Sequence, residues 1–71
     1  MNSEFYKLLG NKIKKRRKEI GLTQQQLADK MNISLNFMGK IEVAFSKPSL
    51  DTLIELAKAL DTSVSELTKF D

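Results

Sequence analysis

The chain has 71 residues, 41% of them hydrophobic, with twelve Lys/Arg, nine Asp/Glu and a net charge of +3, enough for one small domain with one core over residues 1–71. It contains neither cysteine nor histidine. That excludes a disulfide framework and thiolate zinc, and it removes the commonest general base and transition-metal ligand, so no cofactor, no metal and no catalytic residue is expected.

The first helix is expected from about Glu4 to Ile20, with Phe5, Leu9, Ile13 and Ile20 at near-helical spacing, and Gly21 ends it. Seven of the twelve basic residues lie between Lys7 and Lys18. Residues 1–40 hold nine basic and three acidic side chains, and residues 41–71 hold three and six. A basic face of this kind suits a polyanion, and Lys14 and Lys18 are placed for long-range attraction rather than contact.

The stretch Thr23 to Glu42, TQQQLADKMNISLNFMGKIE, carries most of the information. Thr23 followed by Gln26 is a capping box that starts a second helix, Gln24 to Met31, with Leu27, Ala28 and Met31 facing inward. Ala28 is small where two steeply crossing helices must approach. Asn32 stands where the chain turns, because Asn tolerates a left-handed backbone. Ser34 caps a third helix, Leu35 to Val43, with Phe37, Met38 and Ile41 read as packing residues. Two short helices joined by a tight turn are the layout in which the second helix enters the major groove of double-stranded DNA.

Within that layout, Leu35, Asn36 and Lys40 are the expected base contacts. An Asn amide can make a bidentate pair with adenine, a Lys can reach guanine or a phosphate, and Leu can meet a thymine methyl. Thr23, Gln24 and Ser34, at helix starts, and Lys47, in the following loop, are the expected phosphate contacts. Gly39 weakens the third helix by about 1 kcal/mol relative to Ala. Arg17 and Glu42 are expected to form a partly buried ion pair, since Arg17 lies beside Ile13 and Ile20 and Glu42 follows Ile41.

After the loop at Ala44 to Pro48, Ser49 caps a fourth helix, Leu50 to Leu60, with Leu53, Leu56, Ala57 and Leu60 inward. Ser63 with Glu66 reads as a second capping box, opening a short last helix that carries Val64, Leu67 and Phe70. Asp51 and Glu55 share a helix face and read as solvated surface rather than an acid–base couple. No alternating apolar run of strand length occurs, so the fold class is all-α. No run approaches the roughly 20 apolar residues of a membrane span, and the charge order at the N-terminus is not that of a signal peptide. The cytoplasm is the expected location, with no membrane partner.

From Leu9 to Phe70 the chain resembles the lambda-repressor-like helix-turn-helix family, of the Cro/repressor or xenobiotic-response-element type. The segments IKKRRKEIGLTQQQLADKMNIS, KIE and KPSLDTLIELAKALDTSVSEL carry the resemblance. It implies a five-helix domain and a dimeric transcription regulator, a repressor among them. It also implies that Gln24 grips phosphate, that Leu35, Asn36 and Lys40 face the groove, and that Arg17 pairs with Glu42. The chain departs from the family's usual pattern at Asn32 and at Val43-Ala44, where glycine is common. It departs again at Phe45 and Ser46, where basic residues are frequent, and at Leu35, where a polar residue is usual.

The expected function is sequence-specific DNA binding as a homodimer on a palindromic operator, with Phe45, Leu67 and Phe70 at the dimer interface. The alternative is a protein-interaction module, an antitoxin or adaptor, that engages a protein partner and binds DNA weakly. An enzyme is not expected.

Overall fold

In the computed structural model, residues 3–70 are described; Met1, Asn2 and Asp71 of the expected 1–71 domain lie outside the described residues. Among the described residues the chain is all-α, with α1 at Ser3–Glu19, α2 at Gln24–Met31, α3 at Leu35–Glu42, α4 at Leu50–Ala59 and α5 at Val64–Leu67. The ends of α1 to α4 lie within a residue of those expected from sequence, and the small shifts at Ile20, Val43 and Leu60 arise where the chain leaves helical hydrogen bonding; the last helix, expected to carry Phe70, instead ends at Leu67, where Thr68 caps it.

Local chemistry explains these boundaries. Each of α2, α3, α4 and α5 starts at a Ser or Thr whose hydroxyl accepts the amide three residues on: Thr23 from Gln26, Ser34 from Phe37, Ser49 from Thr52 and Ser63 from Glu66. At Thr23 the box is complete, since Gln26 Oε1 accepts the Thr23 amide at 2.8 Å. At Ser63 only the hydroxyl half forms, so the second capping box read from the sequence is corrected to a single cap: the Glu66 carboxylate makes no return bond among the described residues.

Helix ends follow one pattern. Gly21, Asn32, Ala44 and Asp61 each adopt a left-handed backbone, with φ of 78°, 58°, 64° and 55°. Around each, paired amides reach back to the last turn, as where Ile33 donates to the Ala28 carbonyl at 3.0 Å and Phe45 to the Lys40 carbonyl at 2.8 Å. This is the Schellman closure, which satisfies carbonyls that the ended helix leaves open. Only one of the four positions carries the residue that adopts this backbone without strain.

The core forms where α1, α2, α3 and α4 meet. Leu9, Ile13, Leu27, Ala28, Met38, Ile41, Leu53, Leu56, Ala57, Leu60 and Leu67 are buried together. α3 packs mainly on α2 and α1, and α4 on α2 and α5, so α1 backs the turn motif through α3. Gly10 makes that seat possible. A Cβ there would lie 2.5 Å from the Glu42 carbonyl oxygen and 2.9 Å from that of Ile41, so a side chain would push α1 off the end of α3. No helix among the described residues is long and apolar enough to cross a membrane.

Candidate nucleic-acid interface

The outward face of α3 is set by what its inward face buries. Met38 and Ile41 are fully enclosed, which turns Leu35 and Asn36 to solvent and leaves Lys40 half-buried on the rim. Leu35 is 44% exposed, a large apolar side chain presented at the first turn with Asn36 beside it. Lys40 runs outward with its Nζ 5.5 Å from the centre of the Phe45 ring. That cation–π contact steadies the ammonium without neutralising it. Leu35 and Asn36 are thus open at the first turn, with Lys40 half-buried one turn on.

The start of α2 flanks this surface. Thr23 accepts the Gln26 amide, which leaves the amides of Gln24 and Gln25 without an intramolecular partner among the described residues. Free amides at the positive end of a helix suit a phosphate. The hydroxyls of Thr23 and Ser34 act as acceptors in their caps, so each keeps its own hydrogen for a further acceptor.

Gln24 is placed differently from a free phosphate ligand. Its Nε2 donates to Glu42 Oε1 at 2.9 Å, tying the start of α2 to the end of α3. The side chain keeps a second amide hydrogen to offer outward. Glu42 is the hub of this network. Arg17 Nε donates to its Oε2 at 2.6 Å and Nη2 to its Oε1 at 3.0 Å, while Arg17 Nη1 donates to the Leu22 carbonyl at 2.8 Å. Both residues are buried, and no buried side-chain polar atom among the described residues lacks a partner. The pair links α1, the turn before α2, and α3 in one polar bracket behind the outward face of α3.

Lys47 is exposed and lies with its Nζ 5.5 Å from the Tyr6 ring centre, which holds the loop after α3 against the start of α1. Phe45 is 77% exposed and Val43 beside it is 73% exposed. Leu67 is different. Expected at a dimer interface, it is only 2% exposed and belongs to the chain's own core, because α5 docks its one apolar face onto α1 and α4. Phe70 is half-buried and packs edge-on against Phe5 at 5.4 Å, so most of its apolar area is already covered. Of the three residues expected at that interface, the structure leaves Phe45 open, encloses Leu67 and partly covers Phe70.

Sequence reasoning missed several residues that hold the helices together around this face. Arg16 donates to the carbonyls of Leu60 and Asp61 at 2.9 and 3.0 Å, and Lys30 to that of Ala59 at 2.7 Å, so two cations close the end of α4. Their sequence separation of 29 to 45 residues gives no local signal. Gly10 was legible in principle, since a glycine inside an otherwise periodic helix usually marks a packing constraint.

A helix-turn-helix family model matches residues 13–67, from the middle of α1 through α5. The immunity repressor protein of Bacillus phage phi105 is 46% identical over 59 residues, covering 83% of this chain and 41% of the repressor. The cryptic phage CTXphi transcriptional repressor RstR of Vibrio cholerae is 42% identical over 60 residues, covering 79% of this chain and 54% of that protein. The chain spans about half the length of these curated relatives. Among solved structures, SinR, the master regulator for biofilm formation, in complex with DNA, superposes with a TM-score of 0.80 at 32% identity over 86% of this chain and 98% of that one. These relatives belong to a class that acts by binding rather than by catalysis. The turn motif, the face it exposes and these matches agree: the chain belongs to the lambda-repressor-like helix-turn-helix family of DNA-binding transcriptional regulators.

Proposed function

We propose that the chain binds a palindromic operator as a homodimer, in the cytoplasm, with α3 of each copy in the major groove. Asn36 and Lys40 read base edges, with Leu35 against a thymine methyl. Thr23, Gln24, Ser34 and Lys47 hold the backbone on either side. The two-fold seam runs at Phe45, which is 77% exposed.

One observation carries this reading. Leu35 and Asn36 are exposed at the first turn of α3, and Gln24, at the start of α2 with its unpartnered amides, reaches Glu42 and Gly39 at the other end of that helix. Base readout and phosphate anchoring thus sit next to each other on a rigid support. Half-sites are expected about 10 base pairs apart, or a multiple of that.

The test is enrichment of binding sequences from a pool of random duplexes, followed by titration of the enriched site. The expected result is a motif with two-fold symmetry, bound by two chains and weakened steeply by salt. No enrichment, or an asymmetric site filled by one chain, would refute the proposal. A salt-insensitive complex with a second protein in its place would favour the adaptor reading.

A further inference from the structure

Two hollows meet at Asn11 on the basic helix α1, and no DNA contact proposed above lies in either. On one side Lys7 and Asn11 border Glu42 and Val43, at the end of α3. On the other, an open groove between α1 and the residues after α5 is lined by Leu8, Asn11, Lys12, Lys15, Lys69 and Phe70. Its apolar wall is extended by Phe5, which packs on Phe70. Its three lysines make no ion pair among the described residues, and no carboxylate lines it. Glu19 and Glu66 lie in the adjoining hollow, past Lys12 and beside Arg16. Phosphate needs no apolar wall, so the groove fits an acidic segment that also carries aliphatic side chains.

The same molecule carries such a segment. On α4, Leu50, Asp51, Ile54 and Glu55 recur at the spacing of one helix face, and all are exposed. Leu50 is 68% exposed, and Ile54 one turn on is 37% exposed. Lys58, one turn on, lies 3.7 Å from Glu55, and Lys30 borders the same hollow with its ammonium turned to the Ala59 carbonyl, so Asp51 is the carboxylate of this face without an ion pair among the described residues. Basic and apolar on α1, acidic and apolar on α4: the two surfaces are complementary in both charge and character.

We propose that the α1–α5 groove of one copy takes the Leu50–Glu55 face of α4 from another copy. The contact is head-to-tail, so it leaves each copy with one free surface and extends into a row rather than closing. It needs neither DNA nor the two-fold seam, and it lies off the α3 face. Most of the charges on the two surfaces are exposed, so the contact is weak between free molecules. Copies held side by side on one duplex have an effective concentration in the millimolar range, and there a weak contact makes binding cooperative.

The test is sedimentation of the free protein at about 1 mM, the concentration such neighbours would have. The salt is about 0.1 M or about 1 M, where the screening length falls from about 10 Å to about 3 Å. The wild type is expected to grow past two chains at the lower salt and to fall back at the higher. Lys12→Glu with Lys15→Glu should stop that growth, and so should Asp51→Lys with Glu55→Lys. The chain carrying all four reversals should grow again, because both surfaces have changed sign. Mixing the two double variants should form pairs through the intact surface that each retains. Circular dichroism reports whether each variant is folded. A wild type that stays at two chains, or double variants that grow like it, would overturn the proposal. If the double variants sediment as monomers while the wild type still grows, the head-to-tail contact stands and the two-fold seam is what fails.

Discussion

Arg17 holds Glu42 with two parallel hydrogen bonds, Nε to Oε2 at 2.6 Å and Nη2 to Oε1 at 3.0 Å, both buried between α1 and α3. Gln24 Nε2 completes the coordination of the carboxylate at 2.9 Å. Glu42→Ala would leave a buried guanidinium with one carbonyl partner and would free the start of α2. A loss of about 3–5 kcal/mol in urea unfolding at neutral pH is expected, whereas Arg17→Met with Glu42→Leu should lose much less than the two single changes together. An unchanged midpoint for Glu42→Ala would mean that this bracket contributes nothing to stability.

Two glycines should respond to alanine in opposite directions. At Gly10 the new Cβ would press on the Glu42 carbonyl at 2.5 Å, and overpacking of that kind typically costs about 1–3 kcal/mol. At Gly39 the nearest atom to a new Cβ would be Gln24 Oε1 at 3.8 Å, an ordinary contact. Gly39→Ala should therefore stabilise α3 by about 1 kcal/mol. Thermal unfolding of both variants checks the pair. A stabilised Gly10→Ala would show that α1 and α3 can move apart freely.

Ala44 closes α3 at φ 64°, a backbone that strains any side chain with a Cβ. The hydrogen bonds from Ala44 and Phe45 to the carbonyls of Ile41 and Lys40 hold it there. Ala44→Gly should raise stability by about 1 kcal/mol, since the left-handed region costs about 1–2 kcal/mol per residue with a Cβ and glycine's greater unfolded freedom returns part of the gain. Calorimetry should show the rise. A lower melting temperature would indicate that the Ala44 methyl packs more productively than its half-buried position suggests.

Asn36 and Lys47 should affect DNA binding in distinct ways. Asn36→Ala is expected to lose about 1–3 kcal/mol on the preferred site and to relax the preference at one base pair. Lys47→Ala should weaken all sequences alike and lower the salt slope by about one per site. Titrations against preferred and scrambled duplexes at several salt concentrations separate the two. If Asn36→Ala loses equally on scrambled DNA, α3 is not reading bases.

Phe45 is exposed enough to be changed without touching the core. Phe45→Glu should keep the helical circular dichroism and shift the two-fold dimer towards monomer at micromolar concentration. It should also weaken operator binding, because the two half-sites would no longer be filled together. Retention of a wild-type dimer would place the seam elsewhere.

Much of the fold was written locally. Thr23, Ser34, Ser49 and Ser63 start their helices through bonds that span three residues, and Asn32 and Gly21 end theirs through bonds that span three to five. Such contacts lie within one turn of chain, so residue type and spacing determine them. The apolar faces of α2 and α4 were equally legible, because burial follows helical periodicity. So were the inward face of α3 and the pairing of Arg17 with Glu42, each of which follows from knowing which side of a helix is apolar.

What the sequence could not determine depends on atoms brought together across the chain. Gln24 turning to Glu42, Arg16 and Lys30 closing α4, and Gly10 accepting the end of α3 all join residues 18 to 45 positions apart or separate helices meeting at one angle. The same reason accounts for Leu67. Its place on a short amphipathic helix said that it would be buried, while only the docking of α5 against α1 and α4 decided that its own chain, rather than a partner, would bury it.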